Sequence, residues 1–381
     1  MLSPALKTRI NFAILVVFAA MAGIETGKVA AYQPLGVDFL PIWTAARMAW
    51  TEAGHVYDAR LVTAAQSWLL PHLAWPRPFP YPPTALTLLT PLGLPGFWPA
   101  LAAWLAGSLA LFLAAARQLA TGRPRLSLAI ALFAPPTVLA LLVGQTGLVV
   151  GALAILGIVG AKTRPRLAGA ALGIAAALKP QMLILAPVAL VAAGAGEALV
   201  AATLTAVVVV GASLVAFGPG LWRAWIAALP SFEAEIRAVP DMAAGVITPA
   251  GLAADFGLPA PMAIAVRIVA AVAAAALVWT AFRRPADTTL RCGALLCGAL
   301  MIAPYAMHYD ACALAPVAIA RLNAEAPDDR AWLLRLFALL AVAAATAPHL
   351  GAAAILAFAG LIAIELTPPR GRVPEQAVPS R

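Results

Sequence analysis

The chain has 381 residues, of which 63% are hydrophobic and 11% charged, with a formal net charge of +9. So little polar surface cannot cover that much apolar side chain in water, which excludes an ordinary soluble domain and makes this a membrane protein. The basic residues lie in short clusters between apolar segments, RQLATGRPR (117–125), KTRPR (162–166), RRPADTTLR (283–291), RLNAEAPDDR (321–330) and PPRGR near the C-terminus. This is the pattern of cytoplasmic loops and implies no nucleic-acid partner.

A spanning helix needs roughly 20 apolar residues. In chain order the sequence predicts such helices near 10–30, 97–116, 126–143, 147–161, 198–217, 261–282, 290–306, 331–347 and 350–366. Three pieces are shorter: 81–94, the pair 167–178 and 182–193 divided by Lys179-Pro180-Gln181, and 309–320. Broken segments of this kind survive at membrane depth only where protein or water satisfies their backbone, so they point to cavities. The expected fold is an all-α polytopic integral membrane protein of about 11–13 transmembrane helices. Residues 1–366 form one transmembrane domain, and a disordered cytoplasmic tail follows at 367–381.

Lys7 and Arg9 precede the first helix and place the N-terminus in the cytoplasm, as the later clusters place the C-terminus. The loop at 31–80 and the segment 218–258 then lie outside, with 81–116 making one net crossing. Gln145, Lys179 and His308-Tyr309-Asp310 emerge on that same outer face. Within the first outer loop, Phe39, Trp43, Ala46 and Trp50 recur at helical spacing and predict an amphipathic helix on the membrane surface. GAALG (169–173) reads as a close helix contact, and Cys292, Cys297 and Cys312 as small hydrophobes rather than disulfide partners.

Five features carry candidate chemistry. Asp38, in GVDFLPIW, serves equally well as a helix cap or as a catalytic carboxylate, since Asp is a favoured cap and Pro41 suits a first turn. Tyr81, in FPYPP, is fixed at a helix boundary by flanking prolines, although interfacial tyrosines are also routine anchors. Lys179, in ALKPQM, is an ammonium between two half-length apolar pieces, where a charge is costly and usually functional. Tyr305-Ala306-Met307-His308-Tyr309-Asp310 is the densest polar cluster of the C-terminal half and suits a phosphate or sugar hydroxyls as well as a polar helix junction. Gln145, in VGQTG, is a buried amide that a neighbouring helix could satisfy. P-loop, dinucleotide, GxSxG and HExxH motifs are missing, as are metal-ligand histidine spacings and any D-x-D pair.

VDFLPIWTAARMAWTEAGHVYDA (37–59), FPYPPTALTLLTPLGLP (79–95), GQTG (144–147), LAGAALGIAAALKPQ (167–181) and APYAMHYD (303–310) together resemble glycosyltransferase family 87 of the GT-C fold. That resemblance implies a bacterial inner-membrane transferase that moves a hexose or pentose from a polyprenyl-phosphate carrier to a glycan or glycolipid acceptor on the periplasmic face. It makes Asp38 the general base, with inversion at the anomeric carbon. Lys179, His308, Tyr81, Arg47, Gln145, Gln181, Tyr309 and Asp310 are the expected binders of donor phosphate and sugar. Many GT-C relatives carry two acidic residues in the first outer loop, whereas the next ones here are Glu52 and Asp58. No metal or cofactor is expected beyond the lipid-linked substrate. The alternative is a transporter or flippase for a lipid-linked sugar, which the broken helices and intramembrane charge also suit.

Overall fold

The structure, a computed structural model, describes residues 2–32, 34–69 and 77–367. Among the described residues there are eighteen α-helices and no β-strand. The chain is an all-α polytopic membrane protein.

The N-terminal part contains α1 (Pro4–Tyr32), α2 (Phe39–Met48), α3 (Ala59–Leu69), α4 (Pro83–Leu89) and α5 (Phe97–Leu119). Asp58 starts α3 by accepting from the backbone N–H groups of Arg60 and Leu61. Pro83 starts α4 because its fixed φ suits a first turn and its missing N–H needs no partner there. Next come α6 (Pro124–Phe133) and α7 (Pro135–Val143), bent by 58° at Ala134-Pro135. They lead to α8 (Gly147–Gly160), α9 (Pro165–Leu178) and α10 (Ala186–Ala192). The long α11 (Gly196–Ala238) breaks at Gly218, whose φ of 72° precedes Pro219. Two short helices, α12 (Pro240–Ala244) and α13 (Pro249–Asp255), lead into α14 (Ala260–Arg283), α15 (Thr288–Ile302), α16 (Ala315–Asn323), α17 (Asp329–Ala344) and α18 (Gly351–Leu366).

Four of these, α1, α5, α11 and α14, are long and apolar enough to cross a membrane alone, and the bent pair α6–α7 makes a fifth candidate. The other apolar stretches form shorter helices, of 14–16 residues in α8, α9, α15 and α18 and of seven in α4 and α10. The physical reason is proline: Pro135 and Pro180 start new helical pieces inside stretches that hydropathy reads as continuous or nearly so. The short α8 and α15 are buried, whereas α11 and α14 expose apolar side chains such as Val208, Val215, Val269 and Val272 on a lipid-facing side.

One expectation changes. The helix at 39–48 does not lie on a surface, because Phe39, Leu40, Ile42, Trp43, Thr44, Ala45 and Ala46 are all buried. It docks on the 90–95 segment, where the indoles of Trp43 and Trp50 donate to the carbonyls of Pro95 and Thr90. Gly93 presses so closely that a Cβ there would stand 2.4 Å from the Ala46 carbonyl oxygen. The segment at 218–258 is helical, with the part of α11 beyond its break at Gly218 followed by α12 and α13. The expected tail at 367–381 falls, from 368 onward, outside the described residues.

The close contact read from GAALG joins α9 to α11. A Cβ on Gly169 would lie 2.3 Å from the Ala198 carbonyl oxygen, and one on Gly173 would lie 2.7 Å from that of Ala202. Helices that approach this far gain dispersion contacts that lipid cannot supply. Gly169→Leu is therefore expected to destabilise the protein by about 3 kcal/mol or more, because backbone cannot yield as a side chain does. Gly107→Leu, at a position with nothing within 4 Å, is the matched control. Thermal melting of both variants in detergent checks this, and equal melting temperatures would remove the packing argument.

Candidate active site

The turn entering α2 carries Asp38 and is tied to the end of α7 by backbone bonds. Gly36 N–H donates to Leu142 O at 2.8 Å and Asp38 N–H to Val143 O at 2.9 Å. Gly144 ends α7 in the left-handed conformation with φ 79°, and a Cβ on it would stand 2.6 Å from Phe39 Cβ. Glycine is required there on both counts. The result is that Asp38 and Gln145, far apart in sequence, are neighbours by backbone construction.

Asp38 occupies the capping position of α2, yet its side chain makes no capping hydrogen bond. Its carboxylate instead accepts from Gln145 Nε2, 3.0 Å from Oδ2, and pairs with Arg77 Nη1, 3.2 Å from Oδ1. Gln145 also donates to the Tyr309 hydroxyl at 2.9 Å, while its Oε1 accepts from the Tyr81 hydroxyl at 2.9 Å. One amide thus joins a carboxylate and two phenols, with donors and acceptor all engaged. Since the Tyr309 oxygen accepts the hydrogen bond from Gln145 Nε2, its own hydroxyl hydrogen is left to donate to a ligand.

Extended backbone from Arg77 to Tyr81 brings two of these groups in. Prolines at 78 and 80 keep it from turning helical and remove N–H donors, leaving carbonyls for side chains to satisfy. Buried Gln66 grips Arg77, donating to its carbonyl at 2.6 Å and accepting from its N–H at 2.8 Å. Trp225 of α11 donates to Pro80 O at 3.1 Å, and the Tyr57 hydroxyl to Tyr81 O at 2.7 Å.

The fourth wall is the 305–310 segment. His308 N–H donates to Gly245 O at 2.8 Å, and its ring Nδ1 lies 3.1 Å from the same oxygen. A carbonyl only accepts, so Nδ1 carries the ring proton and Nε2 is the ring's other functional atom. Burial lowers the His308 pKa from its ordinary value, so the imidazole rests neutral at neutral pH.

These groups enclose a cavity of about 400 Å³ whose polar lining includes Asp38, Arg77, Tyr81, Gln145, His308 and Tyr309. Glu25 and Lys28 of α1 and Glu235 of α11 also reach it, among apolar side chains such as Val143, Phe232 and Met242. A second cavity of about 380 Å³ lies on the other side of Tyr305. The opposite end of α15, about 22 Å away at 1.5 Å per residue, holds a separate ionic cluster. There Arg321 pairs with Asp287 and Glu365, and Arg335 also binds Glu365.

Of the residues expected to hold a donor, Tyr81, Gln145, His308 and Tyr309 line the cavity, and Lys179, Asp310, Arg47 and Gln181 do not. Lys179 and Asp310 form a buried ion pair at 2.6 Å behind the cavity wall, and Asp310 Oδ2 also accepts from the Met307 N–H at 3.1 Å. The charge of the ammonium is committed to Asp310 rather than presented to the cavity. Arg47 is exposed, donates to Gly93 O and lies over the Trp43 ring, because its helix turns that face away from Asp38. Gln181 sits in the 3₁₀ turn between α9 and α10, away from the cavity. The residues that sequence reasoning missed are Arg77, Glu25, Lys28 and Glu235. Arg77 stands in a proline-flanked WPRPF stretch whose only signal was extended backbone beside Tyr81.

A family model, glycosyltransferase family 87, matches residues 79–304, more than half of the chain. The chain belongs to glycosyltransferase family 87. The transferase matches no curated protein and no solved structure. Tyr81, Gln145 and Lys179 fall inside the matched span, His308 lies just past its C-terminal end, and Asp38 lies well before its start at residue 79. Membership favours transfer of a sugar over transport of one.

In this glycosyltransferase the Lys179–Asp310 pair braces the loop that presents His308 and Tyr309. Lys179→Met leaves Asp310 charged and buried, which costs about 3–5 kcal/mol. Adding Asp310→Asn removes the stranded charge and is expected to restore most of that loss. Thermal melting of single and double variants checks it, and a double variant no more stable than Lys179→Met would refute the bracing role.

Proposed function

We propose that this membrane glycosyltransferase moves a hexose or pentose from a polyprenyl-phosphate carrier to an acceptor hydroxyl, with inversion, using Asp38 as general base. The observation that carries the proposal is the placement of one buried carboxylate beside a guanidinium, a histidine and the phenols of Tyr81 and Tyr309, in a cavity that also holds apolar side chains such as Leu139, Val143 and Phe232. A lipid-linked phosphate presents this combination of an anion and an apolar chain.

The acceptor oxygen attacks the anomeric carbon while Asp38 takes its proton. The bond from that carbon to the phosphate oxygen breaks with its electron pair, releasing polyprenyl phosphate. That anion is a good leaving group without a strong acid, and it needs positive charge and hydrogen-bond donors. Arg77, the Tyr309 hydroxyl and His308 are placed to supply them, with His308 taking up a proton at Nε2 as the phosphate arrives. Gln145 and Tyr81 set the orientation of Asp38 and Tyr309. Lys179 and Asp310 contribute as the brace behind them, and no metal takes part.

The positive clusters support cytoplasmic termini in a bacterial inner membrane and a cavity open to the periplasm. The acceptor in this reading is a glycan or glycolipid approaching from that side.

Asp38→Asn keeps the size and the hydrogen bond from Gln145 but loses the base, so transfer is expected to fall by about 10²–10⁴-fold with folding unchanged. The check is transfer of labelled sugar from a polyprenyl-phosphate donor by purified protein, alongside its melting curve. Undiminished transfer by a well-folded Asp38→Asn protein would remove Asp38 from the chemistry.

A further inference from the structure

Asp38 as found here is not ready to act as a base. Oδ2 already accepts from Gln145 at 3.0 Å, and Oδ1 faces Arg77 Nη1 at 3.2 Å. A carboxylate oxygen engaged by a guanidinium is a poor acceptor for another proton, since charge-assisted bonds of this kind are strong and directional. Both partners are nearly out of solvent, with side-chain exposures of 13% for Arg77 and 11% for Asp38, so water screens the pair weakly. The two oxygens are not held alike. Gln145 is locked by Tyr81 and Tyr309 and is tied to Asp38 through the α7 end, whereas Arg77 reaches across from a different segment.

The backbone of Arg77 is clamped by Gln66, so any rearrangement is confined to its side chain. Arg77 and Lys28 are the basic aliphatic side chains lining the cavity, and Lys28 is paired with Glu25. Glu235, across the cavity on α11, also sits in the field of Arg77.

We propose that Arg77 is a donor-sensing residue: it masks Asp38 Oδ1 in the arrangement seen here and swings to the donor's phosphate when that enters, releasing Oδ1 to accept the acceptor's proton. The guanidinium fork suits both carboxylate and phosphate, so one anion replaces the other with the ion count at Arg77 unchanged. The base becomes competent only with a donor in place, and the donor binds before the acceptor is activated. This rests on the polyprenyl-phosphate donor proposed above.

The test measures binding of polyprenyl phosphate itself, without sugar or turnover, to the full-length protein in nanodiscs. Five forms are compared: wild type, Asp38→Asn, Arg77→Gln, Arg77→Lys and the Asp38→Asn/Arg77→Gln double variant. Arg77→Gln is expected to weaken binding by about tenfold or more, as loss of a charge-assisted bond does. Asp38→Asn, although it disables the base, is expected to bind several-fold more tightly than wild type, because the Asp38 carboxylate then no longer competes with the phosphate for Arg77. In the Arg77→Gln background the same Asp38→Asn change is expected to have a much smaller effect. Arg77→Lys should restore part of the affinity.

Equal effects of Asp38→Asn in both backgrounds would overturn the exchange while leaving the donor reading intact. So would an Arg77→Gln protein that binds as wild type does. A folded wild-type protein that does not bind polyprenyl phosphate at all would overturn both.

Discussion

A carboxylate buried among apolar side chains has to be neutralised or hydrogen-bonded, and the architecture around Asp38 is organised by that requirement. Only 9% of the residue is exposed, and each carboxylate oxygen has a partner from a different part of the chain. Gln145 comes from the α7–α8 junction and Arg77 from the extended strand of backbone before α4. Each partner is itself fixed by others: Gln145 by Tyr81 and Tyr309, Arg77 by Gln66. Satisfying one charge therefore sets the positions of four chain segments.

The same constraint shapes the backbone. In a membrane protein an irregular stretch survives at depth only where its carbonyls and N–H groups find partners. The stretch from Arg77 to Tyr81 finds them in the side chains of Gln66, Trp225 and Tyr57, and the 305–308 segment in Gly245 and the N–H of Ile247, which donates to Ala306 O. Proline and glycine place these irregularities at helix ends facing the cavity. The regular helices are left to pack through small residues, as α9 does on α11. Lys179 and Asp310 extend the logic one layer back, where two charges bury each other and hold the loop that carries His308.

Much of this was legible in the sequence. Apolar runs located α5, α8, α14, α15, α17 and α18 to within a few residues, and the short pieces at 81–94 and 309–320 contribute Tyr81 and Tyr309 to the cavity, whereas 167–193 contributes no lining residue. Asp38, Tyr81, Gln145, His308 and Tyr309 were singled out because polar groups among apolar neighbours are anomalous on their own. Hydropathy failed where proline interrupts a run without changing its apolar character, as at Pro135, but it ended the 198–217 helix where the chain does break, at Gly218. The helical spacing of Phe39, Trp43 and Trp50 was real, but spacing does not tell whether an aromatic stripe meets lipid or protein.

What the sequence by itself determined is the membrane setting, the all-helical class, the family pattern and a short list of out-of-place polar residues, because each of these is a property of composition or local order. What only the tertiary structure decided is the pairing. Lys179 reads as a free ammonium until Asp310, 131 positions away, is seen 2.6 Å from it. Arg77 reads as an ordinary loop cation until it is found against Asp38, while Arg47, much closer in sequence to that carboxylate, faces away. Charge partners are chosen by where helices pack, and in a bundle whose apolar surfaces are nearly interchangeable, packing is a decision of the whole chain.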